Sequence, residues 1–482
     1  MQIFISLLHK FFVIVTTLAQ CQVAVRTIIV FHSFLTAISW NILNLFLYKI
    51  ILQVHQACLF LVISQELFGL SGTLFSTIYF LISITNVGFD YFIITHHSSY
   101  THSKKTFKKL LPIFIVRVGC SALALLLLFT INQFTPIKPL HFLISQTSPA
   151  LLALLILIFL SESIKKSLDI LAQMSFLQKS ITLFDLSTLL IYLAFVWGSY
   201  FASGTITLYT IFIPMGMISI LECLLLFFRL RQYYDTLPAA TTSITLPTKR
   251  IIMHQQAINY LNQITKALFS PNFFIIILAY NLGMSKAGYI KLFTDIIILL
   301  YMLLNRSFGL PSAALFSSVI QQNPLSPEAI KKTFLKITNW YIQFLYALGI
   351  TLCAIMIPYL MAQSTVPAAI AFNIIVFVFA GFIEYLIISY EKWYLTQNKA
   401  WILATINTLS LIPYAALLCS TYLISPVLIL TPIVAIRLCT LIIIIYITYR
   451  RWNIIPSWKI KSQTLLISAA TTTIALCWHS LT

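Results

Sequence analysis

Long apolar runs joined by short polar connections limit this chain more than any other feature. A helix needs about 20 apolar residues to cross a bilayer, and only helices or closed barrels satisfy their backbone there. Runs of that length recur along the 482 residues. Mean hydropathy is +0.95, and charged residues make up 9% of the chain where a soluble domain carries roughly 25%. A soluble globular protein and a disordered one are both excluded. The expected class is an all-α polytopic membrane protein with about 12–14 transmembrane helices.

Hydropathy places spans at 36–62, 70–95, 110–131, 140–160, 182–202 and 205–228. A polar stretch from 229 to 255 follows, with Asp235, Pro238, Pro247 and a run of Thr. Six more spans run at 256–281, 288–316, 337–360, 366–390, 400–422 and 427–448. The domain plan is therefore an N-terminal accessory segment (1–35), a first six-helix bundle (36–228), a cytoplasmic linker (229–255), a second six-helix bundle (256–450) and a tail (451–482) with room for a further helix.

The formal net charge of +19 reads as topology, because cytoplasmic loops collect Lys and Arg. Alternate loops are basic: Lys104, Lys105, Lys108 and Lys109; then Lys165, Lys166 and Lys179; then Arg229, Arg231, Lys249 and Arg250; then Lys331, Lys332 and Lys336. The loops between offer only Lys138 and Lys286. Position 36 thus enters from the cytoplasm, every outer loop is short, and nucleic acid is no partner. The eight cysteines form no CxxC and read as small buried hydrophobes.

Enzyme motifs are absent. There is no GxxxxGK[ST], no HExxH and no Asp-x-Asp. No cofactor or metal is expected, and membrane lipids are the expected surroundings.

Ionisable groups inside spans are costly and face a polar interior. Lys49, Lys266 and Arg306 are the cations that lie deepest, all on the opening two helices of a half. A cavity lined by them is cationic and suits a phosphate or pyrophosphate. Asp185, Asp295 and Glu384 are the acids available for ion coupling or for pairing. Lys291 and Asp295 stand four apart, which sets them face to face on a helix. Glu222 and Arg229 share one helical face seven residues apart.

The two halves align when Gly69 is set against Gly288, which sets Asn86 against Asn305. Repeats of six spans share one orientation, with their axis along the membrane normal.

Ser39-Trp40-Asn41, Leu67-Phe68-Gly69 and Gly88-Phe89-Asp90 in the first half carry a family resemblance. So do Leu268-Phe269-Ser270-Pro271, Ala287-Gly288-Tyr289 and Ala313-Ala314-Leu315-Phe316-Ser317 in the second. These stretches resemble the polysaccharide-biosynthesis and lipid-linked oligosaccharide flippases of the multidrug/oligosaccharidyl-lipid/polysaccharide exporter superfamily. The resemblance implies two six-helix bundles around a central cavity, working by alternating access in a bacterial inner membrane. It implies a polyprenyl-pyrophosphate-linked oligosaccharide or similar anionic lipid as cargo, moved without ATP and driven by an ion gradient or by consumption of the cargo outside. The alternatives are a cation-coupled multidrug antiporter of the same fold, whose cavity would hold carboxylates, and a membrane-embedded glycan transferase.

Overall fold

The computed structural model describes residues 25–86, 88–89, 106–134, 144–237, 249–288, 290–292, 400–420 and 430–454, with isolated positions between 295 and 399 and at 464. Arg306, Asp90 and most of the two terminal segments lie outside the described residues. Those described form helices and short connections, and no strand is found among them.

The helices are α1 (Val25–Val62), α2 (Gln65–Ile84), α3 (Thr106–Phe134), α4 (Pro149–Met174), α5 (Gln178–Ser203) and α6 (Leu208–Thr236) in the first half. In the second half they are α7 (Lys249–Leu268), α8 (Pro271–Leu282), α9 (Ala400–Ser420) and α10 (Leu430–Trp452). By length and apolarity α2, α5 and α6 are each able to cross a membrane, and α7 with α8 meets the same measure as a pair bent by 45°.

Local chemistry sets the boundaries. Ser64 accepts a hydrogen bond from the Leu67 N–H at 3.2 Å and starts α2. Ser148 accepts from Leu151 N–H, and Pro149 at the first turn needs no donor partner. Thr207 and Thr210 satisfy each other's backbone N–H in a capping box at the start of α6. Gly204 ends α5 in the left-handed region. Ser270 and Pro271 break the expected 256–281 span into α7 and α8. The hydroxyl of Tyr414 on α9 donates to the Leu268 carbonyl at 3.2 Å and satisfies one group that the break leaves open.

The largest departure from the hydropathy reading has a physical reason. The helix expected at 140–160 begins at Pro149 and runs on to Met174, carrying Lys165 and Lys166 inside it. Their charges looked like a loop, but Lys165 is matched within the helix bundle and the helix continues. At the other end, α1 starts eleven residues before position 36.

The first-half core centres on Ile158, Phe159, Val196, Ile211 and Phe212, where α4, α5 and α6 meet. Apolar burial gives little drive between helices in lipid, so close backbone approach and buried polar contacts fix the packing. The tightest approach joins the halves. A Cβ at Gly69 would sit 1.8 Å from the Met284 carbonyl oxygen, and one at Gly288 would sit 3.1 Å from the Gly69 Cα. Ser285 and Gln65 are hydrogen-bonded beside this crossing at 3.1 Å. Farther along α2, Phe80 stacks on Phe273 at 5.0 Å between ring centres. Beyond its end, Gly88 lies against the backbone of Gln256 and Tyr260. Thus α2 touches the second half near both its ends, while its Phe75 meets Phe212 of the first-half core.

Gly69→Ala is therefore expected to destabilise the protein by about 1–3 kcal/mol, the usual range for forcing a methyl into a filled site. Gly119, with nothing within 4 Å of its would-be Cβ, is the control: Gly119→Ala should be neutral or slightly stabilising. Thermal unfolding in detergent checks both, and equal shifts would contradict the crossing.

Candidate functional site

Two buried polar networks stand out, one in each half.

In the first half, α4 contributes Glu162 and Lys165, three residues apart and so on one face. From α6 come Ser219 and Glu222, again three apart. The Ser219 hydroxyl donates to Glu162 Oε1 at 2.6 Å. The Lys165 ammonium reaches Glu162 Oε1 at 3.5 Å and pairs with the Glu222 carboxylate. Thr188 on α5 donates its hydroxyl to Glu222. One turn earlier, Asp185 accepts from the Asn44 amide of α1 at 2.8 Å. Tyr48 on α1 and Tyr79 on α2 are within electrostatic reach of Glu162, Lys165 and Glu222. Exposure is 7% for Glu162, 8% for Asp185 and 2% for Glu222, while the Lys165 side chain keeps 21%. Two buried carboxylates thus share the Lys165 ammonium, with a third, Asp185, one turn along α5.

In the second half the network is a chain. Asn262 and Lys266, one turn apart on α7, both reach Glu391: the amide donates to Oε1 at 3.0 Å and the ammonium pairs with Oε2. The Asn407 amide of α9 donates to Asn262 Oδ1 at 2.6 Å. Asn407 Oδ1 in turn accepts from Arg437 Nη1 of α10 at 3.0 Å. Arg437 holds Glu384 with two nitrogens, Nη2 at 2.7 Å from Oε2 and Nε on Oε1. Its guanidinium lies 4.4 Å from the centre of the Phe269 ring. Here each of two carboxylates has its own cation.

The sequence candidates fall as follows. Lys266 and Glu384 belong to the second network, but to different ion pairs. Asp185 belongs to the first. Lys49 is half-buried, with its ammonium 5.3 Å from the centre of the Tyr48 ring, at the edge of the first cluster. Asp295 pairs with Lys291, whose stem packs 3.0 Å from the would-be Cβ of Gly72. Arg306 is outside the described residues. Arg229 does not meet Glu222; it donates to Ser180 at 3.0 Å and to Gln232 at 2.7 Å.

Sequence reasoning missed Glu162, Lys165 and Glu391. Glu162 and Lys165 had a readable signal, an acid and a base three apart at the end of an apolar run. Glu391 had none, because it sits beside Lys392 in what reads as the start of a basic loop.

Neither a family model nor a curated protein sequence matches the chain. Solved structures do. The eukaryotic MATE transporter AtDTX14 superposes with a TM-score of 0.57 at 13% identity, covering 92% of this chain and 99% of the other. A second solved chain, called protein A, gives 0.59 at 12% identity, covering 88% and 96%. The Vibrio cholerae MATE transporter VcmN is more distant, at 0.48 and 13% identity over 88% and 95%. The chain shares the overall fold of AtDTX14, all-α and multi-pass.

Proposed function

We propose that the chain is a membrane exporter coupled to an ion gradient, in which the cluster of Glu162, Lys165, Asp185 and Glu222 binds the coupling proton or small cation. The observation that carries this reading is one ammonium, that of Lys165, shared between two buried carboxylates, Glu162 and Glu222, between the packed helices α4 and α6. Uncompensated charge in such surroundings is costly. Taking up one cation relieves it, and losing that cation restores the strain. A change of helix packing tied to that step gives alternating access. The cargo that fits best is an amphiphilic cation, exchanged for the coupling ion. Lys266, which looked like part of an anion path, has its charge answered by Glu391.

A second reading has its own support. In both lysine–glutamate pairs the lysine side chain is the more open partner, at 21% for Lys165 and 20% for Lys266, against 3% and 1% for the glutamate side chains. A pyrophosphate arriving from the open side would meet ammonium edges first. This favours a polyprenyl-pyrophosphate-linked oligosaccharide carried across a bacterial inner membrane, with Lys49, Lys266 and Arg306 along its path. No catalytic step belongs to either reading.

Reconstitution into vesicles with an imposed pH gradient separates them. Under the first reading, gradient-driven movement of ethidium is expected and collapses when the gradient is dissipated. Failure of ethidium to move, with a polyprenyl-pyrophosphate oligosaccharide accumulating in host membranes depleted of the protein, would transfer the assignment to the second.

A further inference from the structure

We propose that the end of α10, together with the start of α9, is a binding site for an anionic phospholipid, whose phosphate is taken between Arg450 and Arg451. The site faces the bilayer and is independent of the cargo.

The argument starts from one face of α10. Leu438, Ile442, Tyr446 and Arg450 stand four apart and so line one side of the helix. The first three are 45%, 57% and 56% exposed, and Arg450 is exposed as well. Open aliphatic side chains in such a row suit lipid tails rather than water. Toward the end of the helix the chemistry passes from hydrocarbon through a phenol to a guanidinium. A phospholipid changes in the same order, from acyl chain through ester to phosphate. Tyrosine is the usual residue at the middle level, where the apolar layer gives way to headgroups.

Both guanidinium groups are held in place by rings. Arg450 donates its Nε–H to the Tyr446 hydroxyl at 3.1 Å, with its guanidinium carbon 5.7 Å from the centre of that ring. The Arg451 guanidinium carbon lies 5.7 Å from the centre of the Trp401 ring on α9, which is itself 45% exposed. The helix end is pinned from beneath: Trp452 meets Trp393 and Tyr394 edge to face, with ring centres 6.0 and 5.2 Å apart. Anchoring of this kind lowers the entropy that binding would otherwise cost. Basic residues at a membrane boundary are expected from topology alone, and cations suit the carbonyl end of a helix. Neither reason accounts for the missing counter-charge. Among the described residues no carboxylate contacts Arg450 or Arg451. The chain has no Asp or Glu after Glu391, and Glu391 is paired with Lys266. The acceptor for the free guanidinium N–H groups therefore comes from outside the chain, and a phosphate matches their fork.

The test is a lipid titration of the full-length protein, stripped of lipid in detergent. Phosphatidylglycerol, or phosphatidylcholine with the same acyl chains, is added and the bound lipid is counted by native mass spectrometry. The wild type is expected to hold phosphatidylglycerol at a saturable site roughly 10-fold or more tighter than phosphatidylcholine. Arg450→Gln combined with Arg451→Gln should lose about 25-fold in affinity for phosphatidylglycerol, roughly fivefold for each cation removed, and leave phosphatidylcholine binding unchanged. Each single change should lose about fivefold on its own, which decides the matter even if the double variant is poorly recovered. Arg229→Gln combined with Arg231→Gln removes the same charge from the end of α6 and should leave phosphatidylglycerol binding at its wild-type level. Inorganic phosphate in large excess should not displace the lipid, because Leu438 and Ile442 share in holding it. Glutamine variants that bind phosphatidylglycerol as the wild type does would overturn the proposal. So would an equal loss from the α6 pair, or displacement of the lipid by free phosphate.

Discussion

Glu222→Gln is expected to reduce ion-driven export on the order of 100-fold or more while the protein stays folded. Glutamine keeps the shape of the side chain and an acceptor for the Thr188 hydroxyl. What disappears is the charge. Lys165 then faces Glu162 alone, and the excess that makes the cluster take up a cation is reduced by one. A factor of 100 corresponds to about 2.7 kcal/mol between two states of the site, which is within the range for breaking a buried charge contact. The stability change should be smaller, about 1–2 kcal/mol, because Lys165 retains a carboxylate and part of its solvation. Gradient-driven ethidium movement and thermal unfolding, measured on the same preparation, read the two effects separately. Wild-type transport from a folded Glu222→Gln protein would remove this cluster from the coupling step.

The largest stability effect is expected at Arg437. Its guanidinium is 1% exposed, holds Glu384 with two nitrogens, donates to Asn407 and lies over Phe269. Arg437→Ala leaves a carboxylate and an amide oxygen without their donor, at a cost of about 3–5 kcal/mol, with roughly 1 kcal/mol more from the lost ring contact. Arg437→Lys should recover only part of this, since a point ammonium reproduces neither the paired hydrogen bonds nor the stacking. Arg437→Leu combined with Glu384→Leu removes both charges and should be milder than the single alanine change. Denaturation of the three variants orders them, and a single alanine variant as stable as wild type would show that the network is not holding α10.

How far the sequence could be read depended on whether charge marks water. Apolar runs located α5 to within four residues at both ends, since nothing within it contradicts a span, whereas α2 was set five residues late at its start and eleven at its end, and the end of α6 eight residues early. The same rule stopped the fourth span at 160, because Glu162, Lys165 and Lys166 look like a solvated loop. Lys165 is answered by Glu222, 57 positions further along the sequence, and no local window contains both. Glu391 was hidden in the same way, behind Lys392. By contrast, the Lys291–Asp295 spacing is local, and there the chain itself carries both partners. The deep lysines were visible as anomalies from hydropathy alone. Whether each faced cargo or a carboxylate was not, because that depends on which helices become neighbours.

The packing of α2 has a consequence for how the molecule divides. By chain order α2 belongs to the first half. By contact it is clasped by the second half, from the Gly69–Met284 crossing to the Gly88–Gln256 approach. The unit of inheritance and the unit of movement therefore need not share a border. Any relative tilt of the halves would therefore have to part α2 either from α7 and α8 or from the core it shares with α4 and α6, where Phe75 meets Phe212.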